Sequence, residues 1–162
     1  MRVGILSDTH DKVERTRTAV ELLRSEGAEA LIHCGDLTTP PIVEILACLP
    51  AWFVLGNNDE GRAPHLERAA AASGVACLGR GGVIELGGAR LGVAHGHLAR
   101  DLRRVLADRP DYLLTGHSHV ASDGMAGSVR RINPGALHRA SAFTVALLDT
   151  EGGDLRFLHV PK

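Results

Sequence analysis

At 162 residues, with 44% apolar and 23% charged positions, the chain has the size and balance of one globular domain over residues 1–162, and a second is not expected. Its 18 Lys plus Arg are offset by 19 Asp plus Glu, and aromatic residues make up only 3%; a protein whose main partner is nucleic acid normally shows a basic surplus and stacking aromatics, so nucleic acid is disfavoured as the main partner. The longest uncharged apolar run, residues 45–56, is broken by Pro50 and too short for a bilayer, so no membrane partner is expected.

Arg2–Ser7 is a short apolar run suited to a buried strand, and Val13, Thr16, Val20 and Leu23 then recur at helical spacing up to Gly27. Ala30–Cys34 reads as a second buried strand, followed by a Pro-initiated helix around Ile42–Leu49, a strand at Trp52–Leu55 and a helix near His65–Ser73. This alternation predicts parallel strands with helices packed against them. Val83–Leu86 and Arg90–Ala94 flank Gly87-Gly88, which is hairpin chemistry. A helix at Leu98–Asp108 follows, with Arg100, Arg103 and Arg104 on its solvated side, then strands at Tyr112–Thr115, Val129–Ile132, Ala142–Leu148 and Leu155–Val160. An α/β fold with two facing mixed β-sheets and helices outside fits this order better than one doubly wound sheet. The start shows no signal-peptide pattern, and Cys34, Cys48 and Cys77 have no C-x-x-C spacing and read as reduced core residues, so a cytoplasmic location is expected.

The nine histidines concentrate beside carboxylates and glycines just after apolar runs. Asp8-Thr-His10 follows the first strand and Gly35-Asp36 the second. Gly56-Asn57-Asn58-Asp59 follows the third, His95-Gly-His97 the strand after the hairpin, and Gly116-His117-Ser-His119 the strand at Tyr112. Ligands in α/β folds collect at the carboxyl ends of strands, so the five clusters are expected to converge. Positions i and i+2 of an extended segment point to one side, which would turn Asp8 with His10, and His117 with His119, toward one cavity. Each signal alone has a plainer reading: Asp8 as a helix cap, Gly35-Asp36 and Gly56-Asn57 as turns, His95 and His97 as polar strand residues. Five ligand-type signals in the same position favour a site. Carboxylate, imidazole and carboxamide donors without thiolate suit Mn, Fe, Ni, Co or Zn.

In their order, these motifs resemble those of the calcineurin-like metallophosphoesterases. Overall size and the segment Ile132-Asn-Pro-Gly135 look like the small phosphodiesterases of the YfcE type. The resemblance implies a four-layer αββα sandwich and a centre of two divalent metal ions, manganese first among the candidates. Asp8, His10, Asp36 and His119 would hold one ion, and Asp36, Asn57, His95 and His117 the other, with Asp36 bridging. A metal-bridging hydroxide would attack the phosphorus of a small phosphodiester. Asn58 stands where the superfamily often has His; an amide donates a hydrogen bond but delivers no proton, so Asn58 is expected to steer phosphate. Asp59 and His97 are candidates to orient a ligand or a water. The alternatives are a phosphomonoesterase or nucleotidase on the same centre, and a Vps29-like binding scaffold. The scaffold would leave the ligand set crowded without purpose. Substrate and native metal stay open, and a homo-oligomer is compatible with the chain.

Overall fold

The computed structural model describes residues 1–162. Eleven strands form two mixed sheets. In the first, β1 (Arg2–Leu6), β2 (Ala30–His33), β3 (Ala51–Phe53) and β4 (Ala76–Cys77) run parallel, and β10 (Thr144–Asp149) and β11 (Leu155–His159) extend it antiparallel beyond β1. The second sheet has the order β5 (Gly81–Leu86), β6 (Ala89–Ala94), β7 (Tyr112–Leu114), β9 (Val129–Asn133), β8 (Ser122–Ala126).

Strands β1 and β2 are apolar on both faces because both faces are covered, the pattern of a buried sheet. Val3, Ile5 and Ile32 meet Leu91, Val93, Leu114 and Ile132 in a core between the sheets. Leu6 and Leu31 turn the other way, onto α1 (Val13–Ser25), α2 (Pro40–Leu46) and α3 (Ala63–Ser73), where Leu23, Ile42 and Leu66 are buried. A smaller core joins Ala94 and Leu113 to Val105 of α4 (Ala99–Ala107) on the outer face of the second sheet. Successive residues thus serve different layers, as the period of two in a strand requires, and the four-layer order is helices, sheet, sheet, helix.

Helix α1 buries Thr16, Ala19, Val20 and Leu23 at helical spacing and gives way to Gly27 at φ 90°. Helix α2 starts two residues earlier than expected, at Pro40, because proline's fixed φ suits the first turn, and it ends at Leu46. Two strands were not anticipated. β4 is only Ala76–Cys77, and β8, Ser-Asp-Gly-Met-Ala, is an exposed edge with no apolar alternation to mark it. The strand expected from Ala142 begins at Thr144. Cys34 is buried as expected, but Cys48 is exposed, since α2 ends before it and the chain turns outward. No helix is long and apolar enough to cross a membrane.

Candidate metal centre

All five clusters lie just beyond the carboxyl ends of strands β1, β2, β3, β6 and β7 and are drawn to one end of the sandwich. The loops are laced by main-chain bonds: Asp8 N–H donates to Gly35 O at 3.0 Å, His10 N–H to Asp36 O at 3.0 Å, and Gly116 N–H to His95 O at 3.0 Å. Gly56 is required where it stands, because a Cβ there would collide with the main chain and carboxylate of Asp36.

The reason the clusters converge differs from the expected one. Asp8, His10, Asp36, His117 and His119 are not extended: all have positive φ, between 43° and 68°. Such a backbone costs on the order of 1–3 kcal/mol at a non-glycine residue and survives only where surroundings over-determine it, typically at functional sites. His117 and His119 still face one cavity, as expected, but meet different partners in it. The ring of His117 lies 5.2 Å from that of His95, whereas His119 Nε2 lies 3.1 Å from Asp8 Oδ1.

Two donor groups result. Asp8, His10 and His119 form one, and Asp8, Asp36 and His95 the other, each with its donor atoms within 4.8 Å of one another. Asp36 Oδ2 sits 3.4 Å from both His10 Nε2 and His95 Nε2, between the two halves. Asn57 Oδ1 is 3.1 Å from His95 Nε2. Asp8 Oδ2 is saturated by the Ser7 hydroxyl and by His117 N–H at 3.0 Å. Its other oxygen, Oδ1, is buried without a hydrogen-bond partner, and so is His10 Nε2. Buried polar atoms are nearly always paired, and two orphans aimed into one oxygen and nitrogen donor set fit a hard or borderline divalent cation.

Burial alone would raise the Asp36 carboxyl, but hydrogen bonding and charge from His95, with bonds from Asn58, hold it well below the usual range. Burial likewise opposes a charged His95, and its bond to Asp36 overrides that and raises it. Burial lowers His10 against the pull of Asp36 and Asp8, which favours the neutral imidazole a metal needs. His95 Nδ1 bonds Cys34 O at 2.8 Å and His119 Nδ1 bonds Arg139 O at 3.3 Å, so both rings turn Nε2 inward.

The remaining expected residues differ in what they touch. Asn58 donates from its main chain to Asp36 Oδ1 at 2.8 Å and from its side-chain amide to Oδ2 at 2.7 Å, and so holds that carboxylate from an exposed position on the cavity wall. Asp59 accepts four main-chain N–H groups, from Gly56 (2.8 Å), Asp36 (2.7 Å), Leu37 (3.3 Å) and Thr38 (2.8 Å), and so clamps the loop that carries Asp36. Neither ring nitrogen of His97 has a partner, and its ring lies 5.3 Å from that of His95.

Sequence reasoning missed His33, at the end of β2. Gly35 N–H donates to its Nδ1 at 3.1 Å, so in the neutral ring Nε2 carries the proton and donates to Thr9 Oγ1, also at 3.1 Å. Burial, with His95 adding to it, pushes His33 down to about 3. The signal was an ionisable residue inside the apolar run Ala30–Cys34. His138 and Arg139 were likewise left without a role, yet the His138 ring lies 4.8 Å from that of His10. Asn133 secures the His117–His119 turn by donating to Gly116 O at 2.8 Å and Ser118 Oγ at 3.0 Å. His10, Asp36 and His119 line a cavity of about 510 Å³ together with Asn57, Asn58, His117, His138 and Arg139.

Residues 1–153 match the model of the calcineurin-like phosphoesterase superfamily domain. A phosphodiesterase of Methanocaldococcus jannaschii is 29% identical over 161 residues, covering 96% of this chain and 97% of that protein. A probable metallophosphoesterase of Methanothermobacter thermautotrophicus is 29% identical over 146 residues, 84% of this chain and 77% of that one. Among solved structures, an archaeal phosphodiesterase superimposes with a TM-score of 0.85 at 27% identity, covering 99% of this chain and 100% of that one. YfcE, a phosphoesterase from E. coli, gives 0.70 at 20% identity, and Vps29 from Entamoeba histolytica 0.65 at 19%, each covering 99% of this chain and 100% of the other. The last two are likenesses of fold.

Proposed function

The chain belongs to the calcineurin-like phosphoesterase superfamily, and from that premise we propose that it is a metal-dependent phosphodiesterase that hydrolyses small phosphodiesters with two divalent ions, manganese first among the candidates. The observation that carries this reading is the convergence of Asp8, His10, Asp36, His95 and His119, in which Asp8 Oδ1 and His10 Nε2 make no hydrogen bond, beside the polar cavity that His10 lines. A binding scaffold has no use for carboxylates and imidazoles crowded in this way.

Asp8, His10 and His119 would hold one ion, and Asn57, His95 and His117 the other, with Asp36 shared because its Oδ2 faces both halves. When bound, such ions supply the positive charge that offsets charge developing on the phosphoryl oxygens and acidify water. The chain's own residues prepare for this. Ser7 and His117 N–H fix the Asp8 carboxylate, Cys34 O and Arg139 O fix two imidazoles, and Asp59 fixes the turn under Asp36. Asn58 commits one of its two amide N–H groups to Asp36 Oδ2, which leaves the other for a phosphate oxygen, and it has no proton to give a departing alkoxide. Activated alcohols are therefore the favoured leaving groups.

The test is hydrolysis of bis(p-nitrophenyl) phosphate with added Mn, with the chelated protein as control and p-nitrophenyl phosphate as the competing monoester. Diester turnover that requires metal and exceeds monoester turnover is expected. Equal rates with and without chelator would overturn the reading, and a monoester preference would move it to a phosphomonoesterase.

A further inference from the structure

The mouth of the cavity carries cations that the metal reading does not use. Arg139 lines it and forms no ion pair, and Arg62 touches only Asn58 O, at 3.4 Å. Lys12 is tied to Asp11 at 3.1 Å. None of the lining side chains is apolar, although sites for rings and acyl chains are walled mainly by apolar and aromatic groups. Arg139 is also held in place: its φ is 47°, and its carbonyl is fixed by His119 Nδ1 at 3.3 Å. That anchorage fixes the backbone from which its side chain lines the cavity, while the His138 ring packs on His10 in the same lining.

We propose that Arg139, with Arg62, selects phosphodiesters whose alcohol carries a further anionic group, a carboxylate or second phosphate, over neutral or apolar diesters. The proposal rests on the phosphodiesterase reading and names its substrate class. A diester brings one negative charge. Two uncompensated guanidiniums outside the donor set leave a surplus of positive charge that a second anion answers, and guanidinium forks match carboxylate and phosphate geometry. Both arginines are specificity residues here, contacting the part of the substrate that does not react.

Two p-nitrophenyl diesters that differ by one carboxylate test this: ethyl p-nitrophenyl phosphate and carboxyethyl p-nitrophenyl phosphate, compared by kcat/KM on the Mn-loaded chain. Because the leaving group is shared, its chemistry cancels. The carboxyethyl ester is expected to be favoured by about fivefold or more, mostly through KM, as suits a partly exposed charge-assisted contact. Arg139→Gln and Arg62→Gln should each lower that ratio, while Arg100→Gln, which removes the same charge outside the cavity, should keep it. A wild-type ratio at or below one, a ratio untouched by both variants, or an equal loss in Arg100→Gln overturns the proposal. If neither ester is turned over, the phosphodiesterase reading fails, and calorimetry decides the anion site separately. Tighter binding of phosphonopropionate than of propylphosphonate, lost in Arg139→Gln, upholds the site, and equal binding overturns it.

Discussion

The carboxylate of Asp59 accepts the main-chain N–H of Asp36 at 2.7 Å, so these two acidic residues are joined through the backbone and do not share a ligand. Asp59 is fully buried, and burial raises its carboxyl, against four N–H donors that favour the ionised form. Asp59→Asn would turn an NH₂ toward one of those donors. The expected loss is about 2–4 kcal/mol of stability, read as a lower urea midpoint, with metal affinity about 10–100-fold weaker by titration. Unchanged affinity would detach Asp59 from the site.

Divalent ions should stabilise the chain, because they bind the folded donor set and not the unfolded one. At about 100 times the dissociation constant the gain is about 2.7 kcal/mol, or roughly 5–10 °C in Tm for a chain of this size. Chelation should reverse the shift, and Asp36→Ala, which removes the carboxylate 3.4 Å from both His10 and His95, should abolish it. A full shift in that variant would place the ion elsewhere.

Replacing Asn58 with His tests the leaving-group argument. An imidazole can deliver a proton where the amide cannot, so Asn58→His should raise turnover of alkyl diesters relative to aryl diesters, by about tenfold or more if proton delivery limits the rate. A uniform decrease for both classes would instead assign Asn58 to holding Asp36, the contact seen at 2.7 Å.

Stability of the chelated chain should fall with acidity through His33. The folded ring stays neutral down to about 3, whereas the unfolded one protonates near 6.5. Between these values the unfolded chain binds more protons, so the contribution is complete above about 6.5 and is lost as the pH falls toward 3; it amounts to a few kcal/mol, on the order set by linkage. Urea midpoints from pH 7 to 4 should drop less steeply in His33→Gln than in the parent chain. Parallel curves would remove His33 as the cause.

The layered fold was legible because its signals are local. Both-faces-apolar strands such as Val3–Leu6, the spacing of Thr16, Val20 and Leu23, and Gly87-Gly88 between two strands each report on a few neighbours, and the order of elements then restricts the topology. β8 escaped because an exposed edge strand has no burial to encode. Residues of ligand type were also legible, since carboxylates and imidazoles directly after buried strands stand out from an apolar background.

What the sequence determined alone is this list of chemically apt side chains and the strands that deliver them to one end. What only the tertiary structure decided is the bonding that holds them, the amide of Asn58 on Asp36 and Asp59 on a turn of backbone, whereas His119 beside Asp8 and His117 beside His95 is the grouping the family resemblance already implied. Spacing along an extended chain could not foresee this, because Asp8, His10, Asp36, His117 and His119 adopt left-handed conformations that local preference opposes. Such conformations are held by hydrogen bonds from loops 20 to 110 residues away, such as Asn58 to Asp36 and His117 to Asp8, and those partners exist only once both sheets have closed.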